Sequence, residues 1–254
     1  MLVINAINRW VNMDISAFYV EIVKDRLYAD KPQSLSRRAA QTVLFQIYIN
    51  LLGMLGPVTP LLVEEAWHHT PTAIKNGTQH PLQRLYPVIR EEWVNQLLAD
   101  DLPLLLRAKD AIKLAQELAR NDKKLGSSLQ SSIHLVIPSL GIDSSATYLV
   151  FRRYLPELES VFIVSSVSLH QSSIDKNIVD DVEWSYSAEF ETAEGDKAKV
   201  YVLPPTAAKC VRCWRYSVHE ATDTGELLCG RCADMMAALN GAAGIPVCHE
   251  QAIA

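Results

Sequence analysis

Two cysteine pairs, Cys210 with Cys213 and Cys229 with Cys232, are separated by fifteen residues, and no other feature of the 254-residue chain limits its fold so tightly. Each Cys-x2-Cys pair makes a tight turn that offers two sulfurs to one ion, and two such turns complete a tetrahedron. Four thiolates leave no coordination position for water, so a single structural Zn2+ is expected rather than a catalytic one. The roughly thirty residues around it bury too little apolar surface to fold without the ion. Gly230, inside the second pair, is expected to supply the unusual backbone angles of the turn.

Lys209, Arg212, Arg215 and Arg231 put positive charge beside this dianionic centre, and Trp214 and Tyr216 are interleaved with them. Two readings stay open. The charge compensates the centre, or it contacts nucleic acid, with the aromatic rings offering stacking surfaces. Cys248, next to His249, lies sixteen residues beyond Cys232 and is read as a stray thiol, since the two pairs already fill a tetrahedron.

Five cysteines, four of them in close pairs, suit a reducing compartment, and both the cytosol and the mitochondrial matrix fit. The formal net charge of -5 rules out bulk electrostatic capture of nucleic acid, so any such contact is a local patch. Between Phe151 and Val200 stand ten acidic and five basic side chains, an excess that equals the whole net charge. No apolar run approaches the roughly 18 residues that span a bilayer, and Asn5, Asn8, Arg9, Asn12 and Asp14 spoil a signal-peptide core. An intracellular, soluble chain with no membrane partner is therefore expected. No phosphate-binding glycine loop, Ser-His-Asp grouping or pair of carboxylates on an apolar face occurs, and the seven histidines join no such set, so no catalytic residue is expected.

Hydrophobic spacing divides the chain. Ile4, Ile7, Val11, Ile15, Phe18 and Ile22 fall three or four apart and predict a first helix over residues 4–27. Ser36 is expected to cap a second helix, with stripe Ala40, Val43, Leu44, Ile47, Leu51 and Leu55, that ends at Gly56–Pro57. Thr59 with Pro60 marks a third, short helix through Trp67, and residues 71–87 read as a long connection. Helical spacing resumes over 88–119, so an antiparallel bundle is expected for residues 1–122. Alternation of Ile133, Leu135 and Ile137 with His134 and Val136 marks a change to strand. A helix over 144–154 and strands over 161–169, 182–190 and 199–203 then predict a small mixed α/β domain at 123–204. The zinc ribbon follows at 205–240 and a tail at 241–254. The fold class is multidomain: helical bundle, mixed α/β domain, terminal zinc ribbon.

Five strings, taken together, resemble isoleucyl-tRNA synthetases: DISAFYVEIVKDRLY (Asp14–Tyr28), SRRAAQTVL (Ser36–Leu44), GPVTPLLVEEAW (Gly56–Trp67), ELARNDKKLGSSLQ (Glu117–Gln130) and KCVRCW (Lys209–Trp214). They occur in the family's order over nearly the whole chain, which corresponds to the C-terminal portion of that larger enzyme. The resemblance implies an anticodon-binding bundle, a small mixed domain and a terminal zinc knob of the bacterial and organellar type, all facing isoleucine tRNA. It implies phosphate contacts from Lys24, Arg26, Arg37 and Arg38, for which solvated helix faces are the bland alternative. It also favours RNA contact for Lys209, Arg212, Trp214, Arg215 and Arg231.

The full family enzyme uses ATP and Mg2+ to form isoleucyl adenylate and then charges the tRNA. Its nucleotide-binding fold, with HIGH and KMSKS signatures, and its editing domain have no counterpart here, so this chain alone is expected to be inactive in aminoacylation. A truncated gene model, a fragment and a free-standing relative beginning at Met1 all fit. A monomer that binds isoleucine tRNA and no DNA is expected, in the mitochondrial matrix, with the cytoplasm as the alternative. Two other classes share the zinc pattern. A non-catalytic zinc-stabilised RNA-binding protein would bind tRNA without activating an amino acid. A formamidopyrimidine-type DNA glycosylase would begin with proline after the initiator methionine, where Leu2 stands here.

Overall fold

The computed structural model describes residues 2–85, 91–138, 145–220 and 225–242. The chain forms two compact units, Lys31–Gln96 and the combination of Met1–Asp30 with Leu97–Ala254. Helices come first, then a small mixed sheet, then the cysteine module. None of the described helices is long and apolar enough to cross a membrane. Cys248 and His249 lie outside the described residues.

The first helical stretch comprises α1 (Leu2–Arg9), a π-helical segment Trp10–Val20 and α2 (Glu21–Ala29). Ile7 and Ile22 are buried as the stripe predicts, but Val11, Ile15 and Phe18 are only half-buried and Ile4 is exposed. In the π-helical segment each residue turns less about the axis, so three- and four-residue spacing drifts off one face. Phe18 offers its ring to Lys109, whose ammonium sits 4.4 Å from the ring centroid. Burial, then the neighbouring Lys113, lowers that ammonium's pKa to about 8.

In the Lys31–Gln96 unit, α3 (Leu35–Leu55) packs against α4 (Pro60–His68), and α5 (Thr72–Lys75) follows. Ser34, not Ser36, caps α3: its Oγ accepts from the Arg37 amide at 3.2 Å, two residues earlier than the sequence suggested. The buried face is accordingly Tyr48, Leu52 and Leu55 against Val63 and Trp67, with Leu52 rather than Leu51 pointing inward. α4 begins at Pro60 as expected, but the Thr59 hydroxyl donates back to the Leu55 carbonyl at 3.3 Å and does not cap it. The connection after α4 is held down by the Trp67 indole, which donates to the Gln79 carbonyl at 2.8 Å, and by Arg84 over the same ring.

The other unit is organised by α6 (Gln96–Asn121) and a four-stranded sheet of β1 (Ser132–Ile137), β2 (Ser166–Gln171), β3 (Tyr186–Glu191) and β4 (Lys197–Leu203), in the order β2-β1-β4-β3. β1 pairs parallel with β2 and antiparallel with β4, which pairs antiparallel with β3. α7 (Ala146–Phe162) is the crossover that a parallel β1–β2 pair requires. Ile133, Leu135, Ile137, Val200 and Val202 face Leu105, Ile112 and Ala115 of α6 and Phe151 and Leu158 of α7 in one core.

The end of the helix expected over 144–154 and the start of the strand expected from 161 move for one reason. α6 runs through Pro103, and α7 runs through Pro156 to Phe162, because Leu104, Leu105, Leu158 and Phe162 continue the buried faces past each proline. That burial outweighs the roughly 3 kcal/mol cost of an interior proline. The strand expected from residue 161 therefore starts only at Ser166, after Ile163 turns left-handed at the helix end. The short α8 (Lys176–Asp180) follows β2, and β3 starts at Tyr186 rather than 182.

α6 is tied to the start of β1 by a polar relay, in which Gln116 Nε2 donates to Ser131 Oγ at 3.0 Å and Ser128 Oγ donates to Gln116 Oε1 at 3.1 Å. This places the string Glu117–Gln130 at the joint between helix and sheet. Glu194, in the β3–β4 turn, accepts from the Thr147 amide at 3.1 Å and the Thr147 hydroxyl at 2.6 Å, fixing the hairpin to the first turn of α7. Partial burial would raise its pKa, but these bonds outweigh that and hold it at about 2. On the opposite face of the sheet His134 and His170 stack, with Nδ1 and Nε2 2.9 Å apart.

Candidate metal centre and the surface around it

The cysteine module is built from a short hairpin, β5 (Ala208–Lys209) with β6 (Tyr216–Val218), and α9 (Gly230–Ala242). The first knuckle is closed by the Trp214 amide donating to the Cys210 carbonyl at 3.0 Å and the Cys210 amide donating to the Arg215 carbonyl at 2.8 Å. The second knuckle runs into the first turn of α9, where the Ala233 amide donates to the Cys229 carbonyl at 2.9 Å.

These turns bring Cys210, Cys213, Cys229 and Cys232 together with all four sulfurs within 4.8 Å of one another. Sulfurs at about 2.3 Å from a tetrahedral ion stand about 3.8 Å apart, and Cys213 and Cys229 are separated by 3.7 Å. The Cys229 amide points at the Cys210 sulfur at 3.4 Å. Burial alone would raise the Cys210 thiol, but the backbone N–H groups of Cys213, Cys229 and Arg212 bring it down to about 6. Burial moves Cys213 the other way. Cys210 and Cys232 are fully buried and the donors are all sulfur, so the four residues could hold a metal ion as a closed site.

The left-handed residue is not the expected glycine. Gly230 sits at the start of α9 with an ordinary φ, whereas Trp214 adopts φ 67°. A non-glycine side chain in this region costs about 1–2 kcal/mol, which the surrounding knuckle must offset. The conformation turns the indole outward, 63% exposed, with the Lys209 ammonium 5.3 Å from its ring centroid.

The basic residues of the module divide sharply. Lys209 faces solvent, beside the exposed Trp214 ring. The three arginines instead reach protein partners. Arg212 donates to the carbonyls of Ala29 at 2.7 Å and Tyr28 at 3.1 Å, and lies 3.5 Å from the Cys232 sulfur. Arg215, only 9% exposed, donates to Glu159 at 3.0 Å and lies 3.4 Å from Asp25. Arg231 grips both oxygens of Asp25 at 2.7 Å and reaches Asp30 at 3.2 Å. Burial would raise the Asp25 pKa, but these guanidiniums outweigh it and lower the carboxyl. Tyr216 is half-buried, its amide donating to Ser165 Oγ at 2.7 Å.

Of the helical candidates, Lys24 is exposed beside Glu21, and Arg26 bonds Glu157 of α7. Arg37 and Arg38 lie in the first turn of α3, adding charge to the helix end that is already positive. They belong to the other compact unit. A cavity of about 460 Å3 opens between α2 and the first knuckle, bounded by Lys24, Tyr28, Arg212 and Trp214. Sequence reasoning overlooked Asp25, Asp30 and Glu159 as the anchors of the module. A signal for them existed: each knuckle carries an arginine just before its second cysteine, Arg212 and Arg231.

Residues 2–136 match the family described as the anticodon-binding domain of tRNA ligase. The chain is 36% identical over 225 residues to an isoleucine–tRNA ligase of Gloeobacter violaceus, covering 88% of this chain and 21% of that protein. It is 34% identical over 244 residues to the ligase of Symbiobacterium thermophilum, covering 94% of this chain and 24% of that one. It is 30% identical over 240 residues to the chloroplastic/mitochondrial isoleucine–tRNA ligase of Arabidopsis thaliana, covering 91% and 22%. The chain thus spans between 21% and 24% of the length of these relatives.

Proposed function

Because the chain belongs to the family of tRNA-ligase anticodon-binding domains, we propose that it recognises the anticodon stem-loop of isoleucine tRNA as the C-terminal part of an isoleucine–tRNA ligase. The observation that carries this reading is the extent of the similarity to such ligases, 94% of the chain, which takes in both the helical region and the cysteine module. In such an assembly amino-acid activation with ATP and Mg2+ belongs to the remainder of the ligase, and this chain supplies recognition. The family match favours this over a free-standing zinc-stabilised RNA-binding protein.

Zn2+ is the ion proposed for the four cysteines, since four clustered sulfurs, three of them on buried residues, suit its tetrahedral all-thiolate coordination. It would hold the knuckle that presents Trp214 and Lys209, a ring and a cation suited to an unstacked base and its phosphate. Lys24, Arg37 and Arg38 are proposed as phosphate contacts that set position without reading sequence. Arg26, Arg212, Arg215 and Arg231 act in this scheme by holding the surface in place. The proposed division of labour is residues 1–122 for the anticodon-facing helices, 123–204 for the support and 205–240 for the metal-held reader, in a monomer. The organellar relative supports placement in the mitochondrial matrix, with a bacterial-type cytoplasm as the alternative.

The test is binding of isoleucine tRNA and of the same tRNA with a changed anticodon, at two salt concentrations. Phosphate contacts weaken with salt for both RNAs alike, whereas anticodon reading predicts about tenfold or greater preference for the native loop at either salt. Equal affinity for the two RNAs would overturn the proposal.

A further inference from the structure

We infer that metal occupancy of the four-cysteine centre positions the C-terminal end of α2, with Arg212 and Arg231 as the positioning residues that transmit it. The inference does not depend on what the protein binds. It stands on an equivalence between the knuckles: Cys-Val-Arg-Cys and Cys-Gly-Arg-Cys each place an arginine just before the second cysteine, and both arginines reach the same helix end.

Helix α2 ends without a glycine, passing from Ala29 into extended Asp30. Its last carbonyls have no partners within the helix. Arg212 supplies two of the missing donors, to Tyr28 and Ala29, from a guanidinium that also faces the Cys232 sulfur at 3.5 Å. A planar cation bridging a thiolate and a helix C-terminus interacts favourably with both, because each end is negative. Arg231 holds the neighbouring turn through Asp25 and Asp30. The separation of the two arginines is the separation of the two knuckles, and the ion fixes that separation by binding sulfurs from both. With the ion removed, the knuckles are no longer tied to each other and the thiolate side of the Arg212 bridge weakens. The helix end then loses its external cap, while the core of the sheet, built on α6 and α7, keeps its own contacts.

Hydrogen exchange by mass spectrometry on the whole protein tests this directly, with zinc bound and after EDTA. The expected result is that amides of residues 24–30 exchange about tenfold faster without metal, a factor matching the loss of charge-assisted bonds, while β1 and β4 are unchanged. In the double variant Arg212→Met/Arg231→Met, with zinc content held at one ion per chain, residues 24–30 exchange fast already and zinc no longer slows them. Arg212→Lys, which keeps the charge but cannot fork to two carbonyls, falls between. The inference is overturned if chelation leaves residues 24–30 unchanged. It is equally overturned if chelation speeds exchange as much in the double variant as in the parent, or if exchange rises uniformly through β1 and β4.

Discussion

Replacing Asp25 by alanine removes the carboxylate that two arginines share. Arg231 meets it with two contacts of 2.7 Å, and Arg215 approaches at 3.4 Å. Hydrogen bonds to a charged group contribute about 1.5–3 kcal/mol, and leaving a buried charge without its partner costs about 3–5 kcal/mol. Two observations pull the figure down: the Arg231 side chain is 38% exposed, so water and salt screen it, and Arg215 keeps Glu159. Asp25 itself is only 20% exposed, which argues against a negligible effect. The balance is a loss of about 2–3 kcal/mol, or about 5–10 °C in melting temperature for a unit of this size. Urea unfolding followed by circular dichroism, with zinc held constant, measures it. Asp25→Asn retains the shape and one acceptor and should lose less than Asp25→Ala. A loss below about 0.5 kcal/mol would place Asp25 among ordinary surface pairs and refute the view that this cluster anchors the module.

Three further outcomes follow from single sites. Phe151→Ala, which empties a fully buried position packed edge-on against Phe190 at 5.8 Å, should cost about 3–5 kcal/mol by the same unfolding assay. Trp214→Gly should weaken tRNA binding by about fivefold to a hundredfold, the worth of one stacked base. Its thermal stability should hold or rise, because glycine takes φ 67° without strain; a fall in stability of several degrees would refute the strain argument. Burial lowers the pKa of both His134 and His170, and the charge of His170 lowers His134 further. A base whose folded pKa lies below its unfolded value of about 6.5 contributes stability above that pH and loses it as pH falls through the folded value. Stability should therefore decline on acidification below about pH 6.5, and His134→Gln should flatten that slope when melting is followed against pH.

The metal centre was legible because ligand spacing is a local property: two residues between the cysteines of a pair fix a turn whatever the rest of the chain does. Ile133, Leu135 and Ile137 were legible for a similar reason, since alternation survives any packing partner. The helix ends were not. The helix expected to end at 154 continues through Pro156, as α6 continues through Pro103, because Leu104, Leu105, Leu158 and Phe162 carry the buried faces past each proline, and only the assembled core reveals that burial. Ser34 and Ser36 are equivalent as sequence, and the backbone alone decides which hydroxyl meets a free amide. Arg212, Arg215 and Arg231 were visible as charge, but their partners Tyr28, Asp25, Glu159 and Asp30 lie tens of residues to roughly two hundred residues away in sequence. Long-range pairing of that kind leaves no periodic trace.

The metal-held surface carrying Trp214 is proposed to meet the anticodon loop of isoleucine tRNA. Nuclease footprinting of that tRNA with the zinc-loaded protein tests it most directly. The expected result is protection confined to the anticodon stem-loop, lost on chelation and reduced in the loop by Trp214→Ala. Protection elsewhere on the tRNA with the loop left open, or a loop footprint indifferent to both zinc and Trp214, would contradict it.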